Sequence, residues 1–598
     1  MEKLTPVAVY KKRIDELSVE NESLKTKKST IASSRFFIMI AIVASFYYIK
    51  PYGLSYAIIT IIILIVIFLR LVVLSTRNNN KMSNLDLLLN INNQELQIAS
   101  GKYNKQPDGI EMLPAIHDYA HDLDIFGRAS IYQYVNRTTS DQGHQKLSGW
   151  LLHPSGHTAI KERQEAVKEL TDQYIWRQQL HAYGLANKVT SNTQQRITNW
   201  QQEPDRFMGK NWKWIRFIFP AFILSALGCT LAGLLPSPIF FGLFFIFLVV
   251  GLLISRRVNP IYLQLDKIVK QAETMSYSMA WIEKHSFDAS LLRSIKSQYS
   301  TGSSMASDEL TALKELLVRL ELRLNPILFI LLNTLLLWDL QQVLALEKWK
   351  NKNAGNIPGW FEALGNIEAL NTLATISFNH PQWVFPELED RHGTLIADEV
   401  GHPLIPADKR VCSSFTTSGT AKLALITGSN MAGKSTFLRS VGVNIVLAMM
   451  GAPVCATRFT VSDMRVISSM RIADNLEENT STFYAELKKL KYIIDAVNRH
   501  EHVFLLLDEI LRGTNSLDRQ IGSKALIRQL INQDAVGMLA THDLELADLI
   551  KDYPVNIHNY HFDVQVDNEE LYFDYKLKEG VCKSLNASIL MKKIGIEM

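Results

Sequence analysis

Cysteine is scarce in this chain, and neither sign of charge dominates. The four cysteines, Cys229, Cys412, Cys455 and Cys582, stand far apart, with no C-x-x-C pair and no histidine at zinc-finger spacing. A disulfide framework and a clustered zinc site are thereby excluded, and a reducing compartment is expected. Lys plus Arg number 63 against 59 Asp plus Glu, a net charge of +4 over 598 residues. That is too little to mark an obligate polyanion binder. No internal repeat is evident. With 20% charged and 47% hydrophobic residues and a mean hydropathy of +0.02, the chain is neither predominantly disordered nor a mostly membrane-embedded channel. At roughly 150 residues per domain the length predicts about four units.

The average conceals local extremes. FFIMIAIVASFYYI (Phe36 to Ile49), a turn at Lys50-Pro51-Tyr52-Gly53, and LSYAIITIIILIVIFL (Leu54 to Leu69) read as two apolar helices joined tightly. From Phe217 to Ser255 run 39 residues without a charge, broken by Pro236-Ser237-Pro238 into arms of 19 and 17 residues. At ~1.5 Å per residue each arm reaches about 25–30 Å, the thickness of a bilayer's hydrocarbon core. Lys25, Lys27, Lys28 and Arg35 precede the first hairpin, and Arg77 and Lys81 follow it. Lys210, Lys213 and Arg216 precede the second, with Arg256 and Arg257 after it, whereas the turns carry only Lys50. The positive-inside rule then places every hydrophilic part on the cytoplasmic side, with a retained anchor in place of a cleaved signal. The expected location is the cell (inner) membrane, multi-pass, with the bilayer as partner through four transmembrane helices. A third apolar stretch, Pro326 to Trp338, is short, contains Asn333 and meets Asp339, which fits a buried core helix better than a span. Tyr10, Ile14, Leu17, Asn21, Leu24 and Ile31 form a heptad-like stripe, suited to a two-chain coiled coil or to a helix lying on its own protein or on lipid.

Residues 82–205 and 261–385 are helical in pattern, as in ELTALKELLVRLELRL (Glu309 to Leu324). Past Pro386 the β-type runs LALIT (423–427), VFLLLD (503–508) and AVGMLAT (535–541) alternate with helical stretches, predicting an α/β domain with a largely parallel sheet.

Gly428-x-x-x-x-Gly433-Lys434-Ser435 lies directly after the first of these strands and before a helix, the context a phosphate-binding loop requires. Loop residues Gly428, Ser429, Asn430, Met431, Ala432, Gly433, Lys434, Ser435 and Thr436 are the candidate ATP contacts. Backbone N–H groups and the helix N-terminus would face the phosphates, Lys434 would reach the β- and γ-phosphates, and Ser435 could ligate Mg²⁺. Asp508, at the end of VFLLLD, is the second candidate metal residue, and Glu509 the group that orients or activates the attacking water. His542 in Thr541-His542-Asp543 could contact the γ-phosphate. Lys434, Glu509 and His542 are thus the candidate catalytic residues.

TGSNMAGKSTFLRS resembles the phosphate loop of the MutS family of DNA mismatch-repair ATPases. GAPVCA (451–456), Ser481-Thr482-Phe483 with Glu486, DEILRGTNSLD (508–518) and ATHDLELADL resemble that family's further ATPase blocks, in its order. DLDIFGRASIYQYVNRTTSDQGHQKLSGWLLHP (122–154) is similar to the start of its helical core domain, and His402-Pro403 to the start of its ATPase domain. The resemblance implies a head-to-head homodimer through the ATPase domain, with ATP between one subunit's phosphate loop and Ser481 of the other, and duplex or irregular DNA as the partner. It does not extend to the family's mismatch-reading domain: Phe385-Pro386-Glu387 fits that domain's Phe-x-Glu wedge but stands at the wrong place, and a helix-turn-helix tail is not expected.

The expected architecture is multi-domain, with transmembrane helical hairpins, an all-α core or lever domain and a C-terminal α/β P-loop (ABC-type) ATPase domain. Its parts are an N-terminal cytoplasmic helix (1–35), hairpin 1 (36–75), helical core (76–210), hairpin 2 (211–257), the second part of the core and lever (258–385) and the ATPase domain (386–598). Two further readings share the motifs: an ATP-driven transporter or membrane-remodelling ATPase, and a nucleotide-gated scaffold with no DNA role. Four spans without a deep ionisable residue and the lack of a Leu-Ser-Gly-Gly-Gln signature weigh against the first, and the Asp508-Glu509 pair against the second.

Overall fold

A computed structural model describes residues 5–301, 304–429, 432–471, 482–567 and 570–582. The N-terminal apolar runs are the distal parts of two long helices, α1 (Pro6–Ile49) and α2 (Leu54–Ala99), with no break where polarity changes near residues 35 and 75. Between them lies a single 3₁₀ turn closed by Gly53 at φ +136°, a backbone region that L side chains avoid. Asn21 Nδ2 donates to Asp86 Oδ1 at 2.9 Å and Asn78 Nδ2 to Leu24 O at 3.0 Å, so the helices run antiparallel. The heptad-like stripe is filled from within the chain: Leu17 packs with Leu85, Leu88 and Ile91 of α2, and with Ala182 of the core. Beyond it, Phe36, Phe37, Ile62 and Val66 are exposed.

The helical core comprises α3 (Ile131–Val135), α4 (Asp141–Leu152), α5 (His157–Thr171), α6 (Tyr174–Ala186) and α7 (Ser191–Gln202), then α8 (Lys210–Leu231) and α9 (Ser237–Leu265), which form the second hairpin. It continues with α10 (Val269–Lys284), α11 (Ser290–Ser297), a minute hairpin of β1 (Ser300–Thr301) and β2 (Ser304–Met305), α12 (Ala306–Glu321), α13 (Pro326–Leu336), α14 (Trp338–Asn353) and α15 (Ile357–Asn379). Helix α15 is buried along nearly its whole length and is the hub. Its Glu368 carboxylate accepts from the Thr139 and Ser140 N–H groups at 3.1 and 3.0 Å, fixing the start of α4. The base of hairpin 1 is tied in by a buried ion pair of Glu95 with Arg137, which Asn379 Nδ2 joins at 2.9 Å. By length and composition α1, α2, α8 and α9 are each long and apolar enough to cross a membrane.

The expectation for the third apolar stretch is corrected. Helix α13 is no core helix: Leu324, Ile327, Ile330 and Leu331 on or beside it are exposed, and only Asn333 and Thr334 are buried. It packs on α8 and α9, because the core interior is already filled by α15 and its neighbours.

The C-terminal region holds two sheets. Strands β3 (Glu387–Glu389), β4 (Leu395–Val400), β5 (Ser413–Thr417) and β7 (Arg458–Ser462) form the smaller, in order β3-β7-β4-β5. The larger contains β6 (Lys422–Thr427), β8 (Arg465–Ser469), β9 (Val503–Asp508), β10 (Val536–Thr541), β11 (Ile557–Asp567) and β12 (Glu570–Glu579), in order β12-β11-β6-β10-β9-β8. It is parallel except for β12, as its continuous apolar strands predict. Helices α16 (Lys434–Met449), α17 (Thr482–Asn498) and α18 (Ser516–Asn532) connect its strands. Core and α/β region are joined where Asp122 accepts from Ser468 Oγ at 2.7 Å and Asp124 pairs with Arg471 at 2.7 Å.

Candidate nucleotide site

Parallel pairing aligns Thr427 with Thr541, and Asp508 with Ala540, so β6, β9 and β10 end at one edge of the sheet. Ligands of open α/β sheets sit at that carboxyl edge. Two glycines shape the loop leaving β6. Gly428 stands at φ +150°, where a Cβ would lie 2.8 Å from the Phe562 carbonyl oxygen. Gly433 stands at φ +109°, with Tyr575 3.2 Å from the place of a Cβ. Ala432 is buried between them, and α16 starts at Lys434 with its positive end toward the loop. Asn430, Met431 and Ser481 lie outside the described residues.

Lys434 is buried, and its ammonium turns back on the loop, donating to Gly428 O at 2.7 Å and Ser429 O at 3.0 Å. Burial holds it below the ordinary lysine range, although Glu509 and Asp508 pull the other way. Ser435 Oγ donates to Asp508 Oδ2 at 2.5 Å. Burial pushes the Asp508 carboxyl up, against that hydrogen bond and nearby Arg512. Glu509 follows at φ +51°, its N–H bonded to Ala540 O at 2.9 Å, which turns its side chain out of the strand direction. Its carboxylate lies 3.6 Å from His542 Nδ1 and 3.3 Å from Arg512 Nε. Lys434, Ser435, Asp508, Glu509 and His542 therefore meet at one place, and Thr436 lines the cavity beside it.

Some contributors lie in blocks that the sequence singles out without assigning these residues a role. Arg512, four residues after Asp508 in DEILRGT, is a second cation of the site beside Lys434, and its spacing is the available signal. Glu486 of α17 accepts the Leu511 N–H, and Phe483 fills the space over Gly513, so that segment braces the loop carrying Glu509. A cavity of about 250 Å³ opens beside Gly433 and Thr436, walled by His402, Ile405, Val411, Phe437, Phe562 and Tyr575. Burial, with Arg439 close by, brings His402 down to about 4, so it is neutral at pH 7. No pattern marks Phe562 or Tyr575, which arrive from strands far downstream. Among the described residues no group of three His, Cys, Asp or Glu side chains is arranged to hold a metal ion by itself. A divalent ion here would be held by Ser435 and Asp508 with phosphate and water oxygens, a hard donor set that suits Mg²⁺.

The family model for MutS domain V matches residues 424–593, which include this whole constellation. The chain is 33% identical over 236 residues to MutS protein homolog 4 of Homo sapiens, covering 37% of this chain and 24% of that protein. It is 30% identical over 295 residues to the DNA mismatch repair protein MutS of Aquifex pyrophilus, covering 48% of this chain and 32% of that protein. The chain thus spans at most a third of the length of either relative. A glycine-bounded loop, its lysine, and a Ser-Asp-Glu-His set at the sheet's carboxyl edge coincide with the matched segment, so residues 424–593 are similar to MutS domain V in both sequence and site.

Proposed function

We propose that the chain is a membrane-anchored ATPase of MutS type that binds and hydrolyses ATP as a homodimer and engages mismatched or irregular DNA through its helical part. The convergence of Lys434, Ser435, Asp508, Glu509 and His542 carries this reading. On ATP binding, Lys434 exchanges the Gly428 and Ser429 carbonyls for β- and γ-phosphate oxygens, acceptors that better match its charge. The base enters the cavity beside Thr436, between Phe437 and Tyr575. Glu509 orients the attacking water and takes its proton, His542 contacts the γ-phosphate, and Arg512 limits charge repulsion between the carboxylates. Mg²⁺, held by Ser435 and Asp508, would neutralise phosphate charge.

Anchoring is supported by the exposed apolar flanks of α1, α2, α8 and α9, with basic residues at their core-proximal ends. In this reading the chain is a multi-pass protein of the cell (inner) membrane, with its core and ATPase domain in the cytoplasm. DNA as partner rests on the similarity to a protein named for DNA mismatch repair. Full-length protein in nanodiscs should release phosphate from ATP, and Lys434→Ala should abolish this; an inactive wild type would refute the catalytic reading. Glu509→Gln protein trapped with ATP should retain mismatched or branched duplex, and lose it steeply as salt rises. No salt-sensitive retention of any duplex would remove DNA from the proposal.

A further inference from the structure

Helix α13 is built inside out. Its only polar side chains, Asn333 and Thr334, are buried, while Ile327, Leu328, Ile330 and Leu331 face outward. A helix against water would show the reverse pattern; polar-in and apolar-out is the arrangement of a helix surrounded by lipid. Resting on the membrane anchoring proposed above, we infer that α13 lies in the cytoplasmic leaflet of the bilayer as an interfacial helix, with phospholipid against its outer face.

Its depth follows from its contacts with α9. Arg323, just before α13, donates to Ser255 Oγ at 2.7 Å, and Ser255 is the last uncharged residue before Arg256 and Arg257. At the far end of α13, the Asn333 carbonyl oxygen is 3.3 Å from where a Cβ would stand on Gly251. Gly251 is one turn deeper, so these two contacts fall within ~6 Å of that hairpin's charged boundary along α9. Interfacial helices bury their apolar face about 5–10 Å into the headgroup and acyl boundary. The outer face of α13 is also continuous in character with exposed Phe217, Ile218, Leu252 and Leu253 of the hairpin it touches.

The elbow that follows is rigidly specified. Helices α13 and α14 meet at 77°, through Leu337 at φ +46°. That backbone is held by Asn333 Oδ1, which accepts the Asp339 N–H at 2.9 Å, and by Trp338 Nε1, which donates to Arg319 O at 2.8 Å. Beneath it Arg323 faces the fully buried Asp339 at 3.5 Å. Helices α12 and α14 are thus fastened at their junction to the membrane surface, and movement of this part of the core has to pivot about α13.

The test uses full-length protein in nanodiscs of phosphatidylcholine and phosphatidylglycerol carrying an acyl-chain diazirine, irradiated and mapped by mass spectrometry. Labels are expected on Ile327, Ile330 and Leu331 at yields comparable with Phe222 and Leu252, and not on Val555, an exposed apolar residue of the ATPase domain. Labelling of α8 and α9 without α13 would overturn this inference and leave anchoring intact. An absence of label on both would overturn anchoring and this inference with it. As a second readout, Ile330→Cys should react with a charged maleimide at least about tenfold more slowly than Val555→Cys, as burial in the interface requires; equal rates would refute it.

Discussion

Replacing Glu509 by glutamine separates catalysis from stability. The carboxylate sits on a backbone whose position is set by the Glu509 N–H bond to Ala540 O, at 2.9 Å, and by the Glu486 brace on Leu511, neither of which the substitution touches. The guanidinium paired with it is that of Arg512, at 3.3 Å and 39% exposed, so the pair is solvent-screened and contributes no more than about 1 kcal/mol. Glutamine is nearly isosteric and still accepts from Arg512, so Tm should change by no more than about 3 °C. Loss of the proton acceptor removes a contribution of about 10²–10⁴-fold, or about 3–5 kcal/mol of barrier. The assay is single-turnover phosphate release by full-length protein in nanodiscs, with nucleotide affinity measured on the same sample. Affinity should be retained while the chemical step slows at least about 100-fold. A variant that binds ATP normally and hydrolyses it within about tenfold of wild type would refute Glu509 as the water-activating group.

Further outcomes are expected elsewhere. Gly428→Ala should cost about 1–3 kcal/mol and weaken nucleotide binding, because its φ is +150° and the added Cβ meets the Phe562 carbonyl; thermal unfolding and ATP titration check both. Glu95→Gln should destabilise by about 3–5 kcal/mol in denaturant unfolding, because it leaves the Arg137 guanidinium buried without its anion. His181, His380 and His402 are each lowered to about 4, with burial the largest cause, so they fold neutral. The unfolded chain takes up their protons first, so their stabilisation is complete above about pH 6.5 and is lost as pH falls toward 4, by roughly 3 kcal/mol each. A Tm unchanged between pH 7 and pH 5 would contradict this. Glu486→Ala should lower kcat with little effect on ATP affinity, since it releases the Leu511 N–H beside the Glu509 loop and touches no phosphate-binding residue.

Much of this protein is legible in its sequence because the signals are local. The phosphate loop needs glycines at fixed offsets between a strand and a helix, so Gly428, Gly433, Lys434 and Ser435 announce themselves within eight residues. The strands ending at Thr427, Asp508 and Thr541 are continuous apolar runs of the kind a parallel sheet covered on both faces requires. The long uncharged stretches and their basic flanks likewise depend only on composition and order. What tertiary structure alone decided depends on which surface each element finds. The heptad-like stripe of α1 did not specify its partner, because any apolar groove satisfies it; packing supplied α2 and α6 of the same chain. The apolar stretch at 326–338 reads by its length as a buried core helix, but hydrophobicity does not say what covers it. Only the placement of α13 against α9, with Asn333 and Thr334 turned inward, left its apolar face outward. Arg512 joined Glu509, and Phe562 and Tyr575 closed the cavity, through sheet pairing over long sequence separations, which no local pattern encodes.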